Sequence, residues 1–331
     1  MTATAPILYS LDQIKHALTE DTFDAIIQAM ATGFAQLEQK KVQLGTVIHL
    51  GPFSSSSQNI EDACIKSGYV NGQLHMVVKI STGGFRENLK HGLPTADGLM
   101  VVFSQKTGRC EAVLCDAGWL TDLRTAAAGA LACKLLAPAP SLITTIGVIG
   151  TGIQARFQLM MLKRVCHCRT VMLWGRNAVR TEEAKRDMVA LGFQVMVATN
   201  LESLCLKCRL IITCTSSTSP LLMDRMIQPG THITAVGADG LGKQELDPIL
   251  IQRADLVVCD EVQQCITFGE CSHTNLTEEF VRSLGAIVQS GRPHRRPEDI
   301  TIFDSTGVGI QDVQIACMAL ERCSLLTLSK I

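Results

Sequence analysis

The chain has 331 residues, 47% hydrophobic and 18% charged, with a formal net charge of -1. That length suits about two domains with sizeable cores, and the composition excludes long disordered stretches. The near-neutral balance excludes the electrostatic footprint of a nucleic-acid partner or an acidic membrane surface, and no apolar run approaches a membrane span.

The N-terminus, MTATAPILYS, has no basic segment followed by an apolar core, so a soluble, cytoplasmic protein is expected. From 11 to 37 the apolar residues Ile14, Leu18, Phe23, Ile26, Ile27 and Met30 recur at helical spacing, which predicts two short helices. The pattern then changes to short β-rich runs at 46–50, 64–70, 75–80, 99–104 and 110–116. Gly, Ser and Asn separate them, and they read as an antiparallel sheet. Residues 51–59, with four consecutive serines, read as a loop, and 106–109 as a hairpin turn. An Ala-rich helix is predicted over 121–136, closed by AlaProAlaPro at 137–140.

Beyond that point strands and helices alternate. A buried strand at 146–149 runs into Gly150-Thr151-Gly152-Ile153-Gln154-Ala155 and then a helical stretch, 156–165. Strand, G-x-G-x-x-A turn and helix in this order form a dinucleotide-binding fingerprint. Gly150 permits the tight turn, Gly152 lets backbone approach a pyrophosphate, and Ala155 keeps the helix close to the strand. Further strands are predicted at 170–174, 193–197, 210–213, 232–236, 255–259 and 302–303. A helix is expected around 182–191 and a last one over 308–326. Such alternation means a doubly wound parallel sheet. The 14 cysteines are scattered, and Cys133, Cys214, Cys259 and Cys317 sit in apolar runs as buried thiols do. Cys205-x-x-Cys208 and Cys166-His167-Cys168 lack a second pair at zinc-site spacing, so no metal is expected.

Five blocks in order carry a resemblance over nearly the whole chain. They are LysIleSer at Lys79, TDLRTAAA at 121–128, GTGIQA at 150–155, AVGADGLGKQEL at 235–246 and FDSTGVGIQD at 303–312. With these blocks the chain resembles the ornithine cyclodeaminase/mu-crystallin family. The runs at 92–100 and 66–70 look most like its ectoine-utilisation cyclodeaminase-like branch. The resemblance implies a Rossmann domain over 121–311, with 1–120 plus 312–331 forming an α+β substrate-binding and dimerisation domain around the antiparallel sheet. It also implies a homodimer, NAD(P) as cofactor, and a small amino or imino acid as substrate. Family members include ornithine cyclodeaminases, alanine dehydrogenases, and ketimine and pyrroline-carboxylate reductases, while mu-crystallin is a lens and hormone-binding protein. The substrate is therefore less fixed than the cofactor.

The shared chemistry is hydride transfer between a nicotinamide and an α-amino or α-imino carbon. It requires a carboxylate clamp, control of one proton, and exclusion of water. A strand lysine by default faces solvent, but the resemblance puts Lys79 beside the substrate, where a partly desolvated ammonium has a lowered pKa and can donate a proton. The resemblance likewise puts Arg124 at the substrate carboxylate, which suits a guanidinium fork, with Thr125 contacting cofactor. It makes Asp239 a base near the reacting carbon. Without it, Arg124 reads as a surface arginine, Asp239 as a turn residue and Ser305-Thr306-Gly307 as a helix N-cap. With it, that tripeptide lies near the nicotinamide, and Val236 and Gly237 join the cofactor contacts. One position departs from the family: its carboxylate-binding arginine falls on Gly45. A replacement cation is expected from Lys66, with Arg86 as second choice. At the end of the second nucleotide-domain strand stand Gly175, Arg176 and Asn177, with Arg180 nearby and no Asp or Glu. An arginine there accommodates the 2′-phosphate of NADP, so NADP(H) is expected over NAD(H). The function expected is an imine or ketimine reductase or amino-acid dehydrogenase. The alternatives are a cyclodeaminase that recycles NAD internally and a non-catalytic NADPH or small-ligand binder.

Overall fold

The computed structural model describes residues 5–51 and 61–328. The serine-rich loop expected at 51–59 lies outside them apart from Gly51. In chain order the first elements are β1 (Ile7–Ser10), α1 (Leu11–Ala17), α2 (Phe23–Glu38), β2 (Val42–Leu44), β3 (Ile48–Leu50) and β4 (Asp62–Val70). Then come β5 (His75–Gly83), β6 (Asp97–Ser104), β7 (Cys110–Cys115) and α3 (Trp119–Leu136). The alternating part contains β8 (Ile146–Ile149), α4 (Ile153–Leu162), β9 (Thr170–Trp174), α5 (Ala178–Ala190), β10 (Gln194–Val197), α6 (Leu201–Lys207) and β11 (Leu210–Thr213). It continues through β12 (Thr218–Leu222), β13 (His232–Ala235), β14 (Gln244–Leu246), α7 (Pro248–Arg253), β15 (Leu256–Cys259) and α8 (Val262–Phe268). It closes with β16 (Val281–Ser283), α9 (Leu284–Ser290), β17 (Thr301–Asp304) and α10 (Gly309–Leu328). No helix among the described residues is long and apolar enough to cross a membrane.

The chain divides into two compact units, residues 1–124 with 308–331, and residues 125–307. In the first, the sheet order is β1-β7-β6-β5-β4-β2, with β3 also paired to β4. The pairs are antiparallel except β1 with β7, which is parallel. Alternation sets the faces: Lys66, Gly68 and Val70 on β4, Val77 and Lys79 on β5, and Met100 and Val102 on β6 are buried. Helix α10 packs on β4, β5 and β6, and also on α2, whose Ile26, Ile27, Met30 and Phe34 form its buried stripe. Lys66 stands directly opposite Lys79, and Lys79 directly opposite Met100.

The second unit holds an all-parallel sheet in the order β10-β9-β8-β11-β13-β17-β15-β16, with β12 and β14 paired separately. Two apolar cores cover its two faces. One joins Ile146 and Val148 of β8 to Cys133 of α3, Leu159 of α4 and Met188 of α5. The other joins Ile149 to Leu204 of α6, Leu250 of α7 and Cys265 of α8. Helices on both faces make this a doubly wound, Rossmann-type sheet. Strands β8, β9 and β10 run outward in one direction and β11 returns to the other side of β8, so the topological switch point lies beside β8.

Candidate active site

In the first unit, two buried cations, Lys79 and Arg124, pair with one buried acid, and a third buried cation, Lys66, stands across the sheet from Lys79. Asp312, 1% exposed on the first turn of α10, lies 3.5 Å from Lys79 Nζ and 3.1 Å from Arg124 Nε. The Arg124 contact is an ion pair without hydrogen-bond alignment. Arg124 Nη1 donates to Gln311 Oε1 at 3.2 Å, and the Val308 N–H donates to the same oxygen at 2.7 Å, which holds the guanidinium against the start of α10. Burial holds the Lys79 ammonium down at about 8; Asp312 opposes this, and the positive charges of Arg124 and Lys66 add to it. Asp116 accepts from the Leu120 N–H at 2.8 Å, and burial pushes its carboxyl up to about 6.

Lys66 is 5% exposed, on the same sheet face as Lys79 and directly across from it. Two like charges opposite one another on a sheet are unfavourable unless an anion is near. Arg86, the second choice for a replacement cation, is exposed on a 3-10 turn, residues Arg86–His91, and is not part of the buried group. Gly45 donates its N–H to Ser67 O at 3.0 Å, and a Cβ there would come within 2.1 Å of Ser67 Oγ. A side chain at position 45 therefore requires Ser67 to rotate away, and Ser67 neighbours Lys66.

In the second unit, the chain leaves β8 through Gly150 at φ +125°, a conformation that L side chains rarely adopt. A Cβ there would meet the Cys214 carbonyl at 2.7 Å. Gly152 caps α4 and faces open space, since a Cβ there meets nothing within 4 Å. Thr151 and Gln154 are half-buried and Ile153 is exposed, while Ala155 is fully buried against the sheet. The turn thus presents an exposed helix N-terminus with its first backbone N–H groups, which fits a pyrophosphate. Arg176 and Arg180 are exposed beyond β9, and Asn177 caps α5 by accepting from the Arg180 N–H at 3.0 Å. That cap starts the helix at Ala178, earlier than hydrophobic periodicity indicates.

Thr125 is half-buried, and its carbonyl accepts from Gln158 at 3.3 Å. Val236 and Gly237 are buried just beyond β13. Asp239 is exposed on the following turn and ion-paired with Lys243. Ser305, Thr306 and Gly307 are buried beyond β17, with Gly307 at φ +76°. Asp260 organises this loop: it accepts from Ser305 Oγ at 2.9 Å, Thr306 Oγ at 3.0 Å and the Gly307 N–H at 2.7 Å. Glu245 accepts from Thr213 Oγ at 2.7 Å, from the Thr215 N–H and hydroxyl at 2.6 and 2.7 Å, and from the Gly237 N–H at 2.9 Å. Sequence reasoning missed Asp312, Gln311, Asp116, Glu245 and Asp260. The first two stand inside the block at 303–312 and Glu245 inside that at 235–246, so block membership was a signal; Asp116 and Asp260 carried none.

Cys259, Cys265 and Asp304 bring ligand-type atoms within 4.8 Å of one another. Each Asp304 oxygen already accepts a backbone N–H, and burial pushes the Cys265 thiol well up, away from the thiolate a metal requires.

A model of the ornithine cyclodeaminase/mu-crystallin family matches residues 15–325. A putative dehydrogenase of Rhizobium meliloti is 36% identical over 321 residues, 95% of this chain and 92% of that protein. The iminosuccinate reductase of Paracoccus denitrificans is 34% identical over 307 residues, covering 91% of this chain and 92% of its own. Its crystal structure in complex with NAD+ matches with a TM-score of 0.81 at 32% identity over 97% of each chain. An archaeal alanine dehydrogenase dimer with bound NAD matches with a TM-score of 0.84 at 29% identity, over 98% of this chain and 97% of that one.

Proposed function

The chain belongs to the ornithine cyclodeaminase/mu-crystallin family, and we propose that within it this protein is a nicotinamide-dependent reductase of a small α-imino acid, yielding the α-amino acid. The observation that carries this reading is the buried pairing of Lys79 and Arg124 with Asp312, with Lys66 buried directly across from Lys79. When bound, the nicotinamide supplies the hydride. The remaining roles are assigned to residues of this chain.

Arg124 takes the substrate carboxylate, because its guanidinium is held in place by Gln311 and Asp312. Lys66 adds a second cation to that carboxylate and stands in for the arginine absent at Gly45. Lys79 donates the proton to the imine nitrogen: an ammonium at about 8 is protonated at neutral pH yet gives up its proton far more readily than an exposed lysine. Reduction consumes one proton and one hydride per C=N bond, so Lys79 must be reprotonated each turnover. Asp116, raised to about 6 and in electrostatic contact with Lys79, is placed to take part.

Gly150, Thr151, Gly152, Ile153 and Gln154 hold the cofactor pyrophosphate. Arg176 and Arg180 hold the 2′-phosphate and favour NADP(H), with Asn177 fixing the turn between them. Val236, Gly237, Ser305, Thr306, Gly307 and Thr125 line the nicotinamide end. Asp239 is assigned as a base near the reacting carbon, exchanging protons with the substrate nitrogen or water while the carbon itself takes the hydride, and its ion pair to Lys243 sets its resting position. The first unit binds substrate and forms a homodimer. Support comes from the sheet face turned away from α10, where Tyr69, Met76, Val78, Ile80, Val101 and Phe103 are apolar and half-buried or exposed. The fourteen unpaired thiols suit a reducing, cytoplasmic location.

The test is absorbance of the reduced cofactor with cyclic and ammonia-derived α-imino acids. Net oxidation of NADPH with formation of the amino acid is expected. Ammonia release from an amino acid with no net change in cofactor would replace this reading with cyclodeamination.

A further inference from the structure

Four acids of the second unit, Glu245, Asp260, Glu270 and Asp304, are at most 1% exposed. Among the described residues no Lys or Arg of that unit is buried with them. Burying a carboxylate without a cation is costly, so each must be held by hydrogen bonds, and the four are held in the same way. Each oxygen of each acid accepts one backbone N–H. Glu245 takes those of Thr215 on Oε1 and Gly237 on Oε2, at 2.6 and 2.9 Å. Glu270 takes those of Glu245 and Leu246, at 2.8 and 3.0 Å. Asp304 takes those of Glu270 and Cys271, at 3.1 and 2.9 Å. Asp260 takes those of Glu261 on Oδ1 and Gly307 on Oδ2, at 2.8 and 2.7 Å.

A carboxylate is the side chain that offers two acceptor oxygens and no donor. An amide at any of these positions sets its NH2 group against a backbone N–H whichever way it is flipped. The inner pair, Glu270 and Asp304, bonds the backbone of neighbouring acids and of Leu246 and Cys271. The outer pair reaches elsewhere. Glu245 holds the chain just beyond β11 and β13, and Asp260 holds the chain just beyond β17. These are three adjacent strands, and the held segments are at their carboxyl ends, where open parallel sheets bind ligands. Both acids also collect hydroxyl donors there, from Thr213 and Thr215 and from Ser305 and Thr306.

We infer that Glu245 and Asp260 are positioning residues for the nicotinamide end of the cofactor: they touch no reacting atom but fix the loops at Gly237 and at 305–307 against which the ring is set. The inference rests on the nicotinamide-dependent reading above. The adenine and pyrophosphate end is held by the turn after β8, which neither acid bonds. The two ends of the cofactor therefore respond differently to loss of these carboxylates.

The experiment uses full-length Asp260→Asn and Glu245→Gln proteins, checked for folding by circular dichroism and thermal melting. Dissociation constants are measured for NADPH and for 2′-phospho-ADP-ribose, which lacks the nicotinamide, and steady-state rates are measured alongside. The expected result is an unchanged affinity for the fragment, within twofold, with NADPH binding about tenfold weaker and kcat down about a hundredfold at unchanged substrate KM. Thr213→Val, which removes one neutral donor from Glu245, serves where the acid variants fail to fold, and should narrow the NADPH-over-fragment margin about threefold. Affinities for NADPH and fragment that fall together, or a margin and kcat that stay as in the wild type, would overturn the assignment. Wild-type protein that binds neither ligand would overturn the cofactor reading and this inference with it.

Discussion

Replacing Asp312 by Asn removes a buried carboxylate that pairs with both Lys79 and Arg124. At 3.5 Å and an effective dielectric constant of about 20, the lost attraction for Lys79 is roughly 5 kcal/mol before relaxation. That corresponds to about three and a half pKa units, of which water entry and side-chain movement recover a large part. A fall of about one to two units is therefore expected, from about 8 to between roughly 6 and 7. The sign follows from the role of Lys79. In the proposed mechanism its protonated form donates, so activity is expected to be full at low pH and lost as pH rises through the lysine pKa. In the variant the loss begins one to two units earlier. At pH 8 the rate should fall about fivefold or more relative to wild type, and the gap should close toward pH 6. A cyclic imino acid is the substrate of choice, because its C=N bond does not depend on free ammonia. Loss of one partner of a buried pair also costs about 3–5 kcal/mol of stability, so a lowered melting temperature accompanies the shift. An alkaline limb at the same pH in variant and wild type would refute the coupling of Lys79 to Asp312 and its part in protonation.

Lys79→Met should lower kcat at least a thousandfold while leaving the NADPH dissociation constant within twofold, since the Gly150 turn belongs to the other unit; near-normal kcat/KM would remove Lys79 from the mechanism. Lys66→Ala should raise substrate KM about tenfold, the equivalent of one lost charge-assisted hydrogen bond of roughly 1.5 kcal/mol, with kcat little changed; an unchanged KM would return the carboxylate to Arg124 alone. Arg176→Asp should weaken NADPH at least tenfold and spare NADH, and a loss shared equally by both would show that Arg176 does not read the 2′-phosphate. Ile80→Asp, on the half-exposed sheet face, should convert a dimer to a monomer in sedimentation; an unaltered mass would place the dimer contact elsewhere.

Much of this arrangement is legible in local sequence because its causes are local. Period-two apolar runs specify β4 through β7, and the glycine turn after β8 is set by the conformation of Gly150 and by the space around Gly152. Lys79 sits in a run of Met76, Val77 and Val78 that already suggests an interior strand. What sequence does not reveal is partnership across the fold. Nothing near Lys79 announces Asp312, which α10 brings back to β5, and Lys66 meets Lys79 through strand register rather than through spacing. The short strands β1, β2, β14 and β16 also escape, because three or four residues carry too little periodicity. The parallel pairing of β1 with β7 has no signature in its own residues. Buried acids such as Asp260 read as ordinary loop residues, since most of the donors they satisfy, here those at 305–307, lie far away in sequence.

Net reduction of an α-imino acid is the role we propose for the buried cations of the first unit. The most direct measurement is a single-turnover reaction of purified protein with stoichiometric NADPH and a cyclic α-imino acid, following cofactor absorbance and product together. Loss of one reduced cofactor per amino acid formed, with no ammonia released, is the predicted result. Ammonia formed from a diamino acid while the cofactor returns to its starting state, with no reduction of the imine, would contradict it.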